Sequence, residues 1–262
     1  MVKVVSVHSF RGGTGKSNTT ANLAATVARH GHRVGIVDTD IQSPGIHVLF
    51  GFDESKMALS LNDYLWGRCS VEEAAYDVTS VLHGVGSDGQ RPAQMGHRSA
   101  IYLIPSSLRA GEIARVLREG YDVGLLNDGF QELIHRLDLD YLFIDTHPGL
   151  NEETLLSITI SDVLLLIMRP DRQDFQGTAV TVDIARRLEV PKMLIMVNKA
   201  LSSFDFDALK AEVESTYGAP VAAILPLTEE MIQLGSSDIF CLRFPDHPLS
   251  HIFGKVAEIL MA

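Results

Sequence analysis

Cysteine is scarce in this chain of 262 residues: Cys69 and Cys241 are the only two, far apart in sequence. Two thiols exclude a disulfide scaffold and any four-cysteine zinc or iron–sulfur site built within one chain, and they fit a reducing cytoplasm, the location expected here. Basic residues are also short. Lys and Arg number 22 against 33 Asp and Glu, a net charge of −11, so the mean field repels phosphate backbones. No apolar run reaches the ~18 residues that a bilayer span takes. The opening segment MVKVVSVHSF is too short and too little apolar for a signal peptide, and it leads directly into glycines. There is no internal repeat, no low-complexity tract and no composition shift that divides the chain. Residues 1–262 are therefore expected to form a single domain.

What the chain does have is short apolar runs at regular spacing: Val4–Val7, Val34–Val37, Ile101–Ile104, Tyr141–Ile144, Val163–Met168, Met193–Val197 and Ala222–Leu225. Each is continuously apolar, as strands buried on both faces of a parallel sheet are. Helical spacing falls between them, at Lys16–Arg29, Gly124–Leu137, Thr178–Leu188, Phe206–Tyr217 and Leu249–Met261. Alternation of this kind predicts an α/β fold, a doubly wound and mostly parallel sheet covered by helices on both faces. The polar, Gly-rich stretch 83–99 is the one long surface loop expected, with partner binding as its sharper reading.

The strongest local signal is Phe10-Arg11-Gly12-Gly13-Thr14-Gly15-Lys16-Ser17, which follows the first expected strand and opens the first expected helix. Glycines let successive N–H groups turn inward toward phosphate oxygens. Lys16 brings a compact positive charge to the terminal phosphates, and the Ser17 hydroxyl is a hard ligand for Mg²⁺. The helix beginning at Lys16 adds the positive end of its dipole. Phe10 stands where a strict phosphate loop has its first glycine.

Two strands then end in carboxylates: Val37-Asp38-Thr39-Asp40, and Ile144-Asp145-Thr146-His147-Pro148-Gly149. A carboxylate at the C-terminal edge of an open parallel sheet faces the ligand crevice. Asp145 is placed to bind Mg²⁺ through water, and Gly149 to offer a backbone N–H to the γ-phosphate. Asn198-Lys199 follows another strand, where the Asn amide can bond a base edge. Leu201 occupies the place at which a guanine reader would carry Asp, which favours adenine.

In order and spacing these motifs resemble the MinD/ParA family of deviant Walker A P-loop ATPases, over nearly the whole chain. The resemblance implies ATP and ADP with Mg²⁺ as ligands, and slow hydrolysis stimulated by an activating partner protein. It also implies a homodimer that closes face to face on two ATP molecules. By the same resemblance Arg11, Gly12, Gly13, Thr14, Gly15, Lys16, Ser17 and Asn18 contact the phosphates. Asn198 and Pro226 form the adenine pocket. Ser17, Asp40 and Asp145 serve the metal, and Asp40 with Lys16 and Arg11 serves hydrolysis. Position 11 departs from the family, whose signature residue there is Lys reaching the partner's ATP; Arg11 keeps the charge but is a planar fork. His147 also departs, and no catalytic part is assigned to it.

Three functions fit. The first is a dimerising ATPase that positions or partitions cargo. The second is a nucleotide-sensing scaffold with little or no hydrolysis. The third is an ATP-dependent ligase or kinase of the same fold. The tail Leu249–Ala262 lacks basic flanks and reads as a core helix rather than a membrane anchor. Small basic clusters (Arg29/His30/His32/Arg33, Arg109/Arg115/Arg118 and Arg186/Arg187) leave non-specific DNA as an alternative partner. Iron–sulfur reductase chemistry is rejected, because Cys69 and Cys241 are not at matching places.

Overall fold

A computed structural model describes residues 2–83 and 98–262. Strands β1 (Lys3–His8), β2 (Arg33–Asp38), β3 (Tyr76–Asp77), β4 (Ala100–Ile104), β5 (Tyr141–Asp145), β6 (Val163–Met168), β7 (Lys192–Ala200) and β8 (Val221–Pro226) form one sheet. The helices are α1 (Lys16–Arg29), α2 (Leu61–Leu65), α3 (Ala110–Glu119), α4 (Gly124–Arg136), α5 (Glu152–Thr159), α6 (Arg172–Arg187), α7 (Phe206–Tyr217), α8 (Glu229–Leu234), α9 (Phe240–Arg243) and α10 (Pro248–Met261). Strand order is β3-β4-β2-β5-β1-β6-β7-β8. Only the short β3 pairs antiparallel; all other neighbours are parallel.

The continuous apolar runs have a direct cause. Successive side chains of a strand point to opposite faces, and here both faces are covered. Val5 and Val7 of β1, with Leu165 and Ile167 of β6, pack in one core with Leu23 and Val27 of α1 and Phe253, Val256 and Leu260 of α10. On the other face, Leu142 and Ile144 of β5 meet Leu126, Phe130 and Leu133 of α4. Leu164, Leu166 and Met168 of β6 meet Val182 and Ala185 of α6 and Val213 of α7. The tail is thus a core helix, as its apolar stripe predicts. Among the described residues no helix is long and apolar enough to cross a membrane.

All seven expected strands form. The sequence does not announce β3, because two residues carry no period. The helix expected from Thr178 begins six residues earlier, at Arg172, where the Asp171 carboxylate accepts the Gln173 and Asp174 N–H groups. Its first two turns carry Gln173, Asp174 and Gly177 where a core stripe would be apolar, so periodicity alone starts too late. Most of the expected 83–99 loop, residues 84–97, lies outside the described residues.

Gly177 has a specific reason. Phe10 lays its ring over α6, and a β-carbon built at Gly177 would sit 2.2 Å from Phe10 Cδ1 and 2.9 Å from Phe10 Cβ. Gly177→Ala is therefore expected to destabilise the fold by about 1–2 kcal/mol through overpacking. In a Phe10→Gly background, which removes the Phe10 β-carbon as well as the ring, the same change should stabilise by about 0.5–1 kcal/mol, the ordinary helix preference for Ala. Denaturant melts of the four proteins check the reversal of sign.

Candidate nucleotide site

Helix termini leave backbone N–H groups without partners, and side chains commonly cap them. In this chain Asn151 caps α5, Asp171 caps α6, Asp205 caps α7 and Thr228 caps α8. The starts of α3, α4 and α9 carry no side-chain cap hydrogen bond, and neither does that of α1, which opens directly from the glycine loop. Helix α1 has no acid in its first turn, and its N-cap is Gly15 in the left-handed conformation. A buried helix end that keeps its amides and its dipole unanswered is suited to an anion.

The loop before α1 is held open in that shape. Only Gly13 (φ 74°) and Gly15 (φ 96°) of the loop take positive φ, so Phe10 tolerates its β-carbon in place of the usual glycine. A β-carbon at Gly15 would also lie 2.4 Å from Asn198 Nδ2. Asn198 Nδ2 donates to the Thr14 carbonyl at 2.7 Å, and Lys199 Nζ donates to the Gly13 carbonyl at 2.8 Å. The loop's carbonyls are thereby tied back to the end of β7. Gly12 borders Pro148, whose Cγ would lie 3.9 Å from a β-carbon there. Thr14 is buried with its hydroxyl unpartnered.

Lys16 is buried beside Asp145, the carboxylate that ends β5. Burial pushes the Asp145 carboxyl up to about 6, against the pull of the Lys16 ammonium and of hydrogen bonds from Ser17 and Thr20. Burial, then the neighbouring Asp145 and Asp40 carboxylates, push the Asp38 carboxyl well above its usual range. Asp38 Oδ1 accepts the Asp40 N–H at 3.0 Å, whereas Oδ2 is buried without a partner. Asp40 Oδ1 lies 2.6 Å from His147 Nδ1 and accepts the Ser43 N–H at 3.1 Å. Three carboxylates thus crowd together, with one buried lysine beside Asp145, an arrangement that a divalent cation would relieve. Among the described residues no three His, Cys, Asp or Glu side chains converge as an all-protein cage. Mg²⁺ commonly rests on one or two protein oxygens, water and substrate phosphates, so the residues present fit it.

His8 lies at the floor. Thr146 Oγ1 donates to the Val7 carbonyl at 3.0 Å, so toward His8 Nδ1, 2.7 Å away, it must accept. His8 is then neutral with hydrogen on Nδ1, and burial followed by the Lys16 and His147 charges lowers it to about 3. Its contribution to stability is full above the unfolded value near 6.5 and is lost as pH falls toward 3, at up to about 1.4 kcal/mol per pH unit. His8→Asn keeps a donor toward Thr146 without a titrating ring. Its melting temperature should fall less than the parent's between pH 6.5 and pH 4.5, while the carboxylates titrate alike in both.

A cavity of about 330 Å³ opens beside the loop, lined by Gly15, Asn18, Asn198, Pro226, Leu227 and Thr228 among others. Its lining combines apolar side chains (Leu225, Pro226 and Leu227) with polar ones (Asn18, Asn198 and Thr228), as a nucleobase and ribose require. Asn18 Nδ2 donates to Ser236 Oγ at 3.2 Å across this cavity's wall.

Of the residues named from the sequence, Gly15, Asn18, Asn198 and Pro226 line this cavity, and Lys16, Ser17 and Asp40 stand around Asp145; several differ from expectation in their contacts. Asn198 braces Thr14 with its amide nitrogen, while its Oδ1 accepts the Lys199 N–H, so the amide expected to read a base edge is already engaged. The Gly149 N–H, expected on the γ-phosphate, donates to the Ser9 carbonyl at 3.2 Å. The Arg11 side chain rests on α6 of the same chain, where Nη1 donates to Gln173 Oε1 and Nε stands 3.9 Å from Asp174 Oδ1. Lys199, Ser236 and the His147–Asp40 contact were not legible as site features: each depends on where separate loops meet.

The chain matches the ParA family model, described as NUBPL iron-transfer P-loop NTPase, over residues 1–261. It belongs to the ParA family of P-loop NTPases. An uncharacterized ATP-binding protein of Methanocaldococcus jannaschii is 26% identical over 98% of this chain and 87% of that protein. An iron–sulfur cluster carrier protein of Pseudomonas fragi is 25% identical over 97% of this chain and 83% of that protein. In fold, this ParA-family chain superposes on the septum site-determining protein MinD of Pyrococcus horikoshii, complexed with Mg-ADP, with a TM-score of 0.77. The identity there is 20%, over 99% of this chain and 96% of that one.

Proposed function

We propose that this family member binds ATP with Mg²⁺, dimerises over it and hydrolyses it slowly, as a switch that positions or partitions cargo. The observation that carries the reading is the uncapped start of α1 with Lys16 buried beside it, opening onto a cavity sized for a nucleoside. Lys16 and the amides of Gly13–Ser17 would hold the phosphates. Ser17 would ligate Mg²⁺, with Asp145 and Asp40 holding its waters. Mg²⁺ supplies charge neutralisation of the phosphates. Asp40 would orient the attacking water. Leu225, Pro226 and Leu227 would wall the adenine, and Leu201 leaves guanine without its acidic partner.

Arg11 would cross to the twin subunit's nucleotide. Its contacts to Gln173 and Asp174 lie near solvent and are weak enough to be exchanged for that nucleotide. An activating protein would act at this step. The basic clusters offer weaker support for DNA. Arg115 stacks over Trp66 and pairs with Glu119, Arg187 pairs with Asp183, and Arg33 donates to the Leu137 carbonyl and the Tyr102 hydroxyl.

Iron–sulfur carriage, the role named for one relative, does not fit these cysteines. Cys241 is buried, and its thiol lies between Thr26 Oγ1 and the Asn22 carbonyl. Burial pushes it up to about 11, which opposes the thiolate a cluster needs. Cys69 alone reaches the surface, so a dimer would present two thiols where a cluster commonly takes four.

The test is phosphate release against protein concentration. If two subunits complete each site, the rate per subunit rises with concentration and then saturates. A rate per subunit that stays constant at every concentration contradicts the switch.

A further inference from the structure

We propose that His147 is a positioning residue for hydrolysis, fixing the Asp40 carboxylate against which the attacking water is held. The inference rests on the reading of Asp40 given above and adds a residue to it. Asp40 follows β2 on a loop, and His147 follows β5 on another. Loop carboxylates without partners sample several rotamers, which degrades any geometry they impose. Here the 2.6 Å contact of His147 Nδ1 and the Ser43 N–H both fall on Oδ1. A carboxylate only accepts, so Nδ1 carries the hydrogen. Oδ2 takes no protein donor among the described residues, and the Asp40 side chain keeps 14% exposure. One oxygen is pinned and the other is left for water.

His147 is itself held. Its carbonyl accepts the Thr154 hydroxyl at 3.3 Å, and the preceding Thr146 is tied to Val7 and His8. The chain of contacts runs from the sheet through Thr146 to His147 and ends on Asp40. Nothing in it requires His147 to touch nucleotide. In the hydrolysis step the water oxygen bonds to the γ-phosphorus as the bond to the β,γ-bridging oxygen breaks; ADP leaves with that electron pair, and the water's protons depart with the inorganic phosphate formed. Asp40 Oδ2 accepts a hydrogen bond from that water, and His147 only sets where Oδ2 stands.

The experiment is single-turnover hydrolysis at saturating ATP and Mg²⁺, together with calorimetric affinity for a non-hydrolysable ATP analogue. Parent, Asp40→Ala, His147→Ala, His147→Asn and the Asp40→Ala/His147→Ala double variant are compared. His147→Ala should slow the step about 10- to 100-fold, the range a displaced reacting group costs, with analogue affinity within about threefold. His147→Asn, whose amide nitrogen can stand near the Nδ1 position, should recover most of the rate. In the Asp40→Ala background the second change should add nothing. Parent rate in His147→Ala, no rescue by Asn, an equal loss of rate and affinity, or a further loss in the double variant would each overturn the proposal. Parent rate in Asp40→Ala would instead overturn the reading of Asp40 on which it rests.

Discussion

Lys16→Ala should lower affinity for Mg-ATP by about 2–5 kcal/mol, the cost of truncating one partner of a buried charge pair. That is a loss of roughly 30-fold to several-thousand-fold. The size follows from burial. Lys16 is 7% exposed, so water cannot take its place beside the phosphates. The same substitution removes the main positive charge facing Asp145, whose carboxyl then moves further up and becomes less able to serve Mg²⁺. Calorimetry with Mg-ATP checks the loss. Melting curves at pH 7 distinguish a folded protein that has lost binding from one that has lost its fold. A variant that binds within threefold of the parent would mean that the loop amides suffice and that Lys16 is structural.

Arg11→Ala should leave the affinity of the single protomer for nucleotide nearly unchanged, while dimerisation on ATP weakens and turnover falls by at least about 10³-fold, the lower end for an arginine supplied to a transferring phosphoryl group. In the structure Arg11 keeps 42% side-chain exposure and makes its contacts to Gln173 and Asp174 near solvent. Exposed pairs of this kind contribute about 0–1 kcal/mol, so little opposes a swing toward a partner. Asp174 does not depend on Arg11, because Arg169 already binds it through Nε and Nη2 at 3.0 and 3.1 Å. Arg11→Lys restores the charge without the planar fork and should fall between the two. Light scattering reads the dimer and phosphate release reads the turnover. Parent behaviour in Arg11→Ala would remove the trans role.

The fold was legible because its parallel strands are buried twice over, and that leaves continuous apolar runs such as Val163–Met168. The phosphate loop was legible because its glycines, lysine and serine are contiguous. Features that depend on two distant segments were not. His147 meets Asp40 across 107 residues of sequence, and Lys199 meets Gly13 across 186. For Asn198 the sequence shows an amide at a strand end and cannot show that its nitrogen already donates to the Thr14 carbonyl. The start of α6 was lost because Gly177 serves Phe10 rather than a core stripe. Phe10, which breaks the usual glycine pattern, is accommodated by that same glycine, an exchange visible only when loop and helix are side by side.

The central claim is that the segment 11–17 holds a triphosphate and that a second subunit closes over it. Light scattering after size exclusion, with a saturating non-hydrolysable ATP analogue and Mg²⁺, tests it most directly. The mass of one chain without nucleotide and of two chains with it is the predicted result. A mass that stays at one chain, while calorimetry on the same sample shows the nucleotide bound, would contradict it.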